Sequence, residues 1–226
     1  IPILTGGTGF YIQAVLYDID FTENEEDTAY RSMLEALAKK EGPQYLHNML
    51  QKSDKKAADA IHPNNIKRVI RALEFNKQTG MHISEHNEAE RQKESAYASA
   101  YFVLHDDRQR LYERIEKRVD DMLAKGLVQE VEQLKAMGCT KDMVSMQGLG
   151  YKEILCFLEG ECSLEEAVYR IKRDTRHFAK RQLTWFKREK NVIWVNKQDF
   201  AYDEEAILKF MKQKIKETTG IGDVST

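Results

Sequence analysis

Apolar residues along this chain follow two patterns, and the change from one to the other marks out its elements. Short continuous apolar runs stand at IPIL (1–4), AYFVL (Ala100 to Leu104) and VIWV (Val192 to Val195). Runs of this length without alternation predict strands covered on both faces, as in a parallel sheet. Elsewhere apolar positions recur every three to four residues, the spacing of one helix face. That spacing predicts helices over Ala29 to Lys40 and Gly42 to Gln51, the second with Pro43 in its first turn. In IHPNNIKRVIRALEFNKQTG, residues Ile66, Val69, Ile70 and Leu73 form a stripe for burial, Asn64 or Asn65 supplies the cap and Gly80 the stop. Glu85 to Ser95 is charged and nearly free of apolar residues, which predicts an exposed linker.

The second half is more regular. From Asp106 to Met137, Leu111, Ile115, Val119 and Leu123 are spaced by fours, Gly126 breaks the pattern and Gly138 closes a further helix. Gly148 and Gly150 precede a helix over Tyr151 to Leu158, with Gly160 as its C-terminal cap. Across Arg170 to Lys190 a last helix turns Val168, Ile171, Phe178 and Leu183 toward a core. A short run from Gly9 to about Leu16 follows the first strand as a helix. Together these elements predict an α/β core of residues 1–20 and 96–217, a mainly helical insertion over 21–95 and a flexible tail at 218–226. Three strands make a poor sheet for this much helix, and Ile1 starts directly in a strand-like run without Met or leader. A preceding segment is therefore expected to supply further strands.

Composition narrows the classes. At 226 residues and 42% hydrophobic content the chain can bury a substantial core. No apolar run reaches the ~20 residues of a membrane span, and no signal peptide is visible, which points away from membranes and toward the cytoplasm. Cys139, Cys156 and Cys162 are odd in number, form no CxxC and have no clustered His partners, which argues against a disulfide framework or a zinc site. His62, before Pro63, reads as a packed or capping residue, and the other histidines show no metal or triad spacing.

A net charge of −2 conceals strong local contrast. The stretch RIKRDTRHFAKRQLTWFKREK sets nine Lys/Arg against two acids around Trp185 and Phe186. On a helix, Lys172, Arg176 and Lys180 share one row and Arg173, His177 and Arg181 the next. Such rows are either a solvated surface or an anion site. Like charges stacked without acidic relief favour phosphate or RNA. Arg110, Arg114 and Arg118 form a similar row, for which an anion site and pairing with Glu113, Glu116, Asp120 and Asp121 are equal alternatives. Lys67, Arg68 and Arg71 cluster on one side of their helix. The turn Thr5-Gly6-Gly7-Thr8-Gly9 leads into a helix N-terminus, a geometry suited to a phosphate, with Thr8 offering a hydroxyl. Most glycine-rich strand-to-helix turns, however, are simply turns. This one is not a Walker A loop, since GxxxxGK[ST] is absent.

In this order and spacing, GGTGFYIQAVL, IHPNNIKRVIRALE, RIEKRVDDML, GLGYKEI and TRHFAKRQLTWFKRE resemble the tRNA dimethylallyltransferases, also called tRNA isopentenyltransferases, over residues 1–217. The resemblance implies a P-loop-kinase-like parallel-sheet core, incomplete here, carrying a helical insertion that grips tRNA. It implies transfer of a dimethylallyl group from dimethylallyl diphosphate to N6 of the adenosine 3′ of the anticodon, with Mg²⁺, by a cytoplasmic monomer. The partners would be the anticodon stem-loop and the diphosphate, with no membrane. Carried over by motif, Thr8 assists the chemistry, and Gly6, Gly7, Arg118 and Arg176 meet the diphosphate. Arg31, Lys67, Arg68, Arg71, Gln147, Gly148, Gly150, Tyr151, Lys152, Lys180, Arg181, Gln182, Trp185 and Lys187 meet tRNA, Arg181 and Gln182 around the flipped base. The family's P-loop and general-base aspartate would precede Ile1, so the chain alone is expected to be inactive, with Mg²⁺ ligands mainly in that segment. The alternatives are a non-catalytic RNA-binding module and a P-loop small-molecule phosphotransferase.

Overall fold

The structure, a computed structural model, describes residues 1–19 and 28–220. The chain forms two compact units, Phe10–Tyr97 and Ile1–Gly9 with Ala98–Thr226. Predicted features at residues 20–27 and 221–226, the start of the insertion and most of the tail, lie outside the described residues.

The first of these units is helical. After α1 (Gly9–Tyr17) come α2 (Thr28–Glu41), α3 (Pro43–Ser53), α4 (Lys55–Ala60), α5 (Ile66–Thr79) and α6 (Ile83–Gln92). Leu34, Leu46, Leu50, Val69, Ile70 and Leu73 close its core, with Tyr30 and Ile83 packed against them. Each such side chain contributes about 1.5–3 kcal/mol by leaving water. Asn65 stands at the N-cap of α5 but makes no side-chain capping bond, while Gly80 ends the helix at φ 70° as expected.

Two expectations fail here. α4 was not foreseen, and the charged stretch taken for a linker is largely helix α6. The reason is a distant carboxylate. Asp54, 3% exposed, accepts from Ala57 N at the start of α4 and also from Ser84 N and Oγ in the first turn of α6. One side chain thus satisfies orphan donors of two helices, 30 residues apart. Burial works to raise the Asp54 pKa, but these N–H and O–H donors outweigh it and hold the carboxyl below its ordinary range.

The second unit carries the sheet. β1 (Tyr101–His105) pairs in parallel with β2 (Val192–Asn196), Tyr101 opposite Val192 and His105 opposite Asn196. Between them run α7 (Arg108–Ala124), α8 (Leu127–Ala136), α9 (Tyr151–Leu158) and α10 (Leu164–Phe186), and α11 (Glu204–Thr219) follows β2. Val119, Leu127, Val131, Met146, Ile154, Leu155 and Ile171 form its core. Gly126, at φ 99°, separates α7 from α8 as the sequence predicts.

The apolar run at 1–4 is not a strand. Residues 1–6 lie in no regular element, and Ile3 is 86% exposed, because the sheet of the described residues has only β1 and β2 to bond with. Phe178, assigned to the core, is 41% exposed beside Arg181, whose guanidinium lies over its ring. α11 was not foreseen and carries residues 218 and 219 of the predicted tail; Asp203 caps it by accepting from Glu205 N and Ala206 N. The fold is mixed α/β, mostly helical with a small parallel sheet. No helix of the described residues is long and apolar enough to cross a membrane.

Candidate functional site

The glycine turn is built against the C-terminal half of α10. Gln182 Nε2 donates to the Gly7 carbonyl at 2.9 Å. A Cβ on Gly7 would overlap the Gln182 amide, and a Cβ on Gly9 would overlap the Trp185 indole. Neither glycine has positive φ, so close approach rather than backbone conformation requires them. A Cβ on Gly6 meets nothing. Thr8, held between the two constrained glycines, is exposed.

α10 itself is less uniformly basic than its sequence suggests. Its rows find acids on a neighbouring helix, contrary to the expectation of unrelieved charge. Lys172 meets Asp120 at 2.6 Å and Arg176 meets Glu116 at 2.5 Å, both across to α7, while Arg173 pairs with the adjacent Asp174 at 2.8 Å. The Arg173 guanidinium holds the Asp174 carboxyl below the usual carboxylate range. Lys180, Arg181 and Lys187, in and just beyond the last turns, are exposed and make no ion pair among the described residues. The helix therefore divides into an internally neutralised first half and a cationic end beside the glycine turn.

The arginine row on α7 sorts in the same way, though not with the acids proposed for it. Arg110 and Arg114 lie 4.0 and 3.5 Å from Asp106, a residue 8% exposed that also accepts from the Tyr202 hydroxyl at 3.2 Å. Arg110 stacks on the Tyr202 ring, 3.8 Å from its centroid. Arg118 alone of the three is exposed without an ion pair among the described residues.

Before α9, Gln147 and Gly148 are exposed and Gly150 is buried at φ 100°. The buried Glu153 carboxylate turns back to accept the Gly150 N–H at 2.8 Å, fixing this turn. The Tyr151 hydroxyl donates to Glu130, a hydrogen bond that raises the Tyr151 pKa, while Lys152 remains exposed. The Cys156 thiol is pushed up to about 11, first by its hydrogen bond with Cys162, which leaves no thiolate nucleophile there at neutral pH.

In the helical unit, Lys67, Arg68 and Arg71 are exposed on α5 with no ion pair among the described residues. Arg31 differs. Its Nε and Nη2 reach both oxygens of Glu74, at 2.9 and 2.7 Å, and Glu74 is 3% exposed. Asp54, Glu74 and Asp106 organise these surfaces and escaped sequence reasoning, and Glu116, named there only for the arginines of α7, pairs instead with Arg176. Asp54, Glu74 and Glu116 act across 30, 43 and 60 residues, where spacing carries no signal, whereas Asp106 stands four residues before Arg110, within the reach of helical spacing.

Residues 1–189 match the family model described as IPP transferase. The chain is 62% identical over 212 residues to a tRNA dimethylallyltransferase of Lachnoclostridium phytofermentans, covering 94% of this chain and 68% of the relative. It is 51% identical over 207 residues to the Acetivibrio thermocellus protein of the same name, covering 92% and 66%. Among solved structures, the full-length tRNA isopentenylpyrophosphate transferase of Bacillus halodurans is 40% identical with a TM-score of 0.59, over 94% of this chain and 66% of that one. A eukaryotic dimethylallyltransferase acting on tRNA is 26% identical with a TM-score of 0.74, over 99% and 58%. The chain thus spans about two thirds of the length of most of these relatives.

Proposed function

The chain belongs to the IPP transferase family, and from that premise we propose that the protein carrying it transfers a dimethylallyl group from dimethylallyl diphosphate to N6 of an adenosine next to the tRNA anticodon. In that reaction N6 attacks the allylic carbon, the carbon–oxygen bond breaks, diphosphate departs with the electron pair and N6 loses a proton. The observation that carries the reading is the exposed Thr8, fixed between two glycines against the helix whose end bears the unpaired Lys180 and Arg181. Preorganised donors near a departing diphosphate stabilise charge as it develops. Arg118, without a carboxylate partner among the described residues, supports the same role. Lys67, Arg68 and Arg71 on α5 and Gln147, Gly148 and Lys152 before and on α9 offer further surface to an anticodon stem-loop.

Arg176 enters this reading only through its pairing with Glu116, which a diphosphate would have to displace. Among the described residues no three His, Cys, Asp or Glu side chains cluster as a ligand set, so none of them is assigned to Mg²⁺. A monomer working in the cytoplasm completes the reading.

The test is transfer of labelled dimethylallyl from its diphosphate to an unmodified anticodon stem-loop, with the modified nucleoside identified by mass. Thr8→Ala is expected to lower turnover about a hundredfold while stem-loop affinity stays within twofold. Tight stem-loop binding without transfer would instead make the protein an RNA-binding module. Phosphoryl transfer to a small molecule would make it a kinase.

A further inference from the structure

Gln182 and Trp185 lie three residues apart on α10 and so present to one side of the helix. Both meet the glycine turn, the first through its amide on the Gly7 carbonyl and the second through its ring against Gly9. Trp185 is half-buried, and its indole N–H has no acceptor among the described residues. The ring therefore acts here as a shape, filling the space that a side chain at position 9 would take. Gln182 is half-buried as well, and one of its two amide N–H donors is committed to the Gly7 carbonyl. The neighbouring Arg181 and Lys180 point their charges to solvent. The two kinds of residue thus divide the helix end between an outward cationic face and an inward face that clamps the turn.

We propose that Gln182 and Trp185 are positioning residues for Thr8, setting the turn that carries its hydroxyl, rather than contacts to RNA. The inference rests on the transferase reading above, in which Thr8 serves the chemical step. A carbonyl pinned at Gly7 and a ring seated on Gly9 fix the backbone on both sides of Thr8, leaving its side chain to rotate and little else. Misplacement of a reacting group by about 1 Å is enough to slow chemistry about a hundredfold without touching affinity. A direct RNA contact would behave the other way, raising the concentration of stem-loop needed and leaving the saturated rate alone.

The experiment is single-turnover transfer to the stem-loop, measured as rate at saturation and as stem-loop Kd, on the protein carrying this chain. Gln182→Met keeps length and removes the amide donor. It is expected to lower the saturated rate at least tenfold with Kd within twofold. Gly9→Ala, whose methyl would displace the ring, and Trp185→Ala, which removes the seat on Gly9, are each expected to lower the saturated rate at least tenfold with Kd within twofold. Should Gly9→Ala fail to fold, Gln182→Met still decides. A weakened Kd with an unchanged saturated rate in Gln182→Met or Trp185→Ala overturns the inference. Absence of transfer by the unsubstituted protein would overturn the transferase reading instead, and with it the premise.

Discussion

At the scale of single residues, chemistry and architecture separate according to whether a charge already has a partner. Arg118 and Arg31 illustrate the two cases. Arg118 is exposed without an ion pair among the described residues, so Arg118→Ala should shift stability by no more than about 0.5 kcal/mol. Its expected effect is a KM for dimethylallyl diphosphate raised about tenfold, from the loss of one charge-assisted contact. Arg31→Met should do the reverse. It strands Glu74, a carboxylate 3% exposed, and should cost about 2–3 kcal/mol, less than a fully buried pair because Arg31 itself is half exposed. Urea unfolding of both variants beside the transfer assay checks the contrast. A silent Arg31→Met would show that Glu74 finds another donor.

At the scale of elements, Asp54 decides whether α6 exists as part of its unit. Asp54→Ala removes the acceptor of three hydrogen bonds and should destabilise the protein by about 2–3 kcal/mol, read as a lower denaturation midpoint. Because its folded pKa lies below the ordinary 3.8, the carboxylate contributes in full above that value and loses its contribution as pH falls through the lower folded pKa. Acid unfolding should therefore lose part of its steepness in Asp54→Asn, and an identical profile would assign the acid response to other groups. The same residue marks the limit of what sequence conveys. α9 runs from Tyr151 to Leu158 as predicted because glycines bracket it locally, at 150 and 160, and α5 stops at Gly80 for the same reason. α6 reads as a linker in the sequence because its cap comes from 30 residues away. The rows on α10 looked unrelieved because Glu116 and Asp120 sit on another helix. The glycine turn could be recognised by composition, but its two clamps, 175 residues distant at Gln182, could not.

At the scale of the whole molecule, a net charge of −2 means that any grip on RNA must come from surfaces where cations stand without acids. Two such surfaces among the described residues are α5, with Lys67, Arg68 and Arg71, and the end of α10, with Lys180, Arg181 and Lys187. Log affinity for a stem-loop should fall linearly with log salt, each phosphate contact adding about 0.7–0.9 to the slope. Lys67→Ala and Lys180→Ala should each remove about one such increment and add together, since they lie in separate units. Lys172→Ala should leave the slope unchanged, its charge being spent on Asp120, and a slope altered as much as by Lys180→Ala would refute the division. The overlap between Gly9 and the Trp185 ring also restrains how such a protein can diverge. Any side chain arriving at position 9 demands a smaller one at 185, so the two sites can drift only as a pair, with whichever change comes first crossing a trough of lowered fitness.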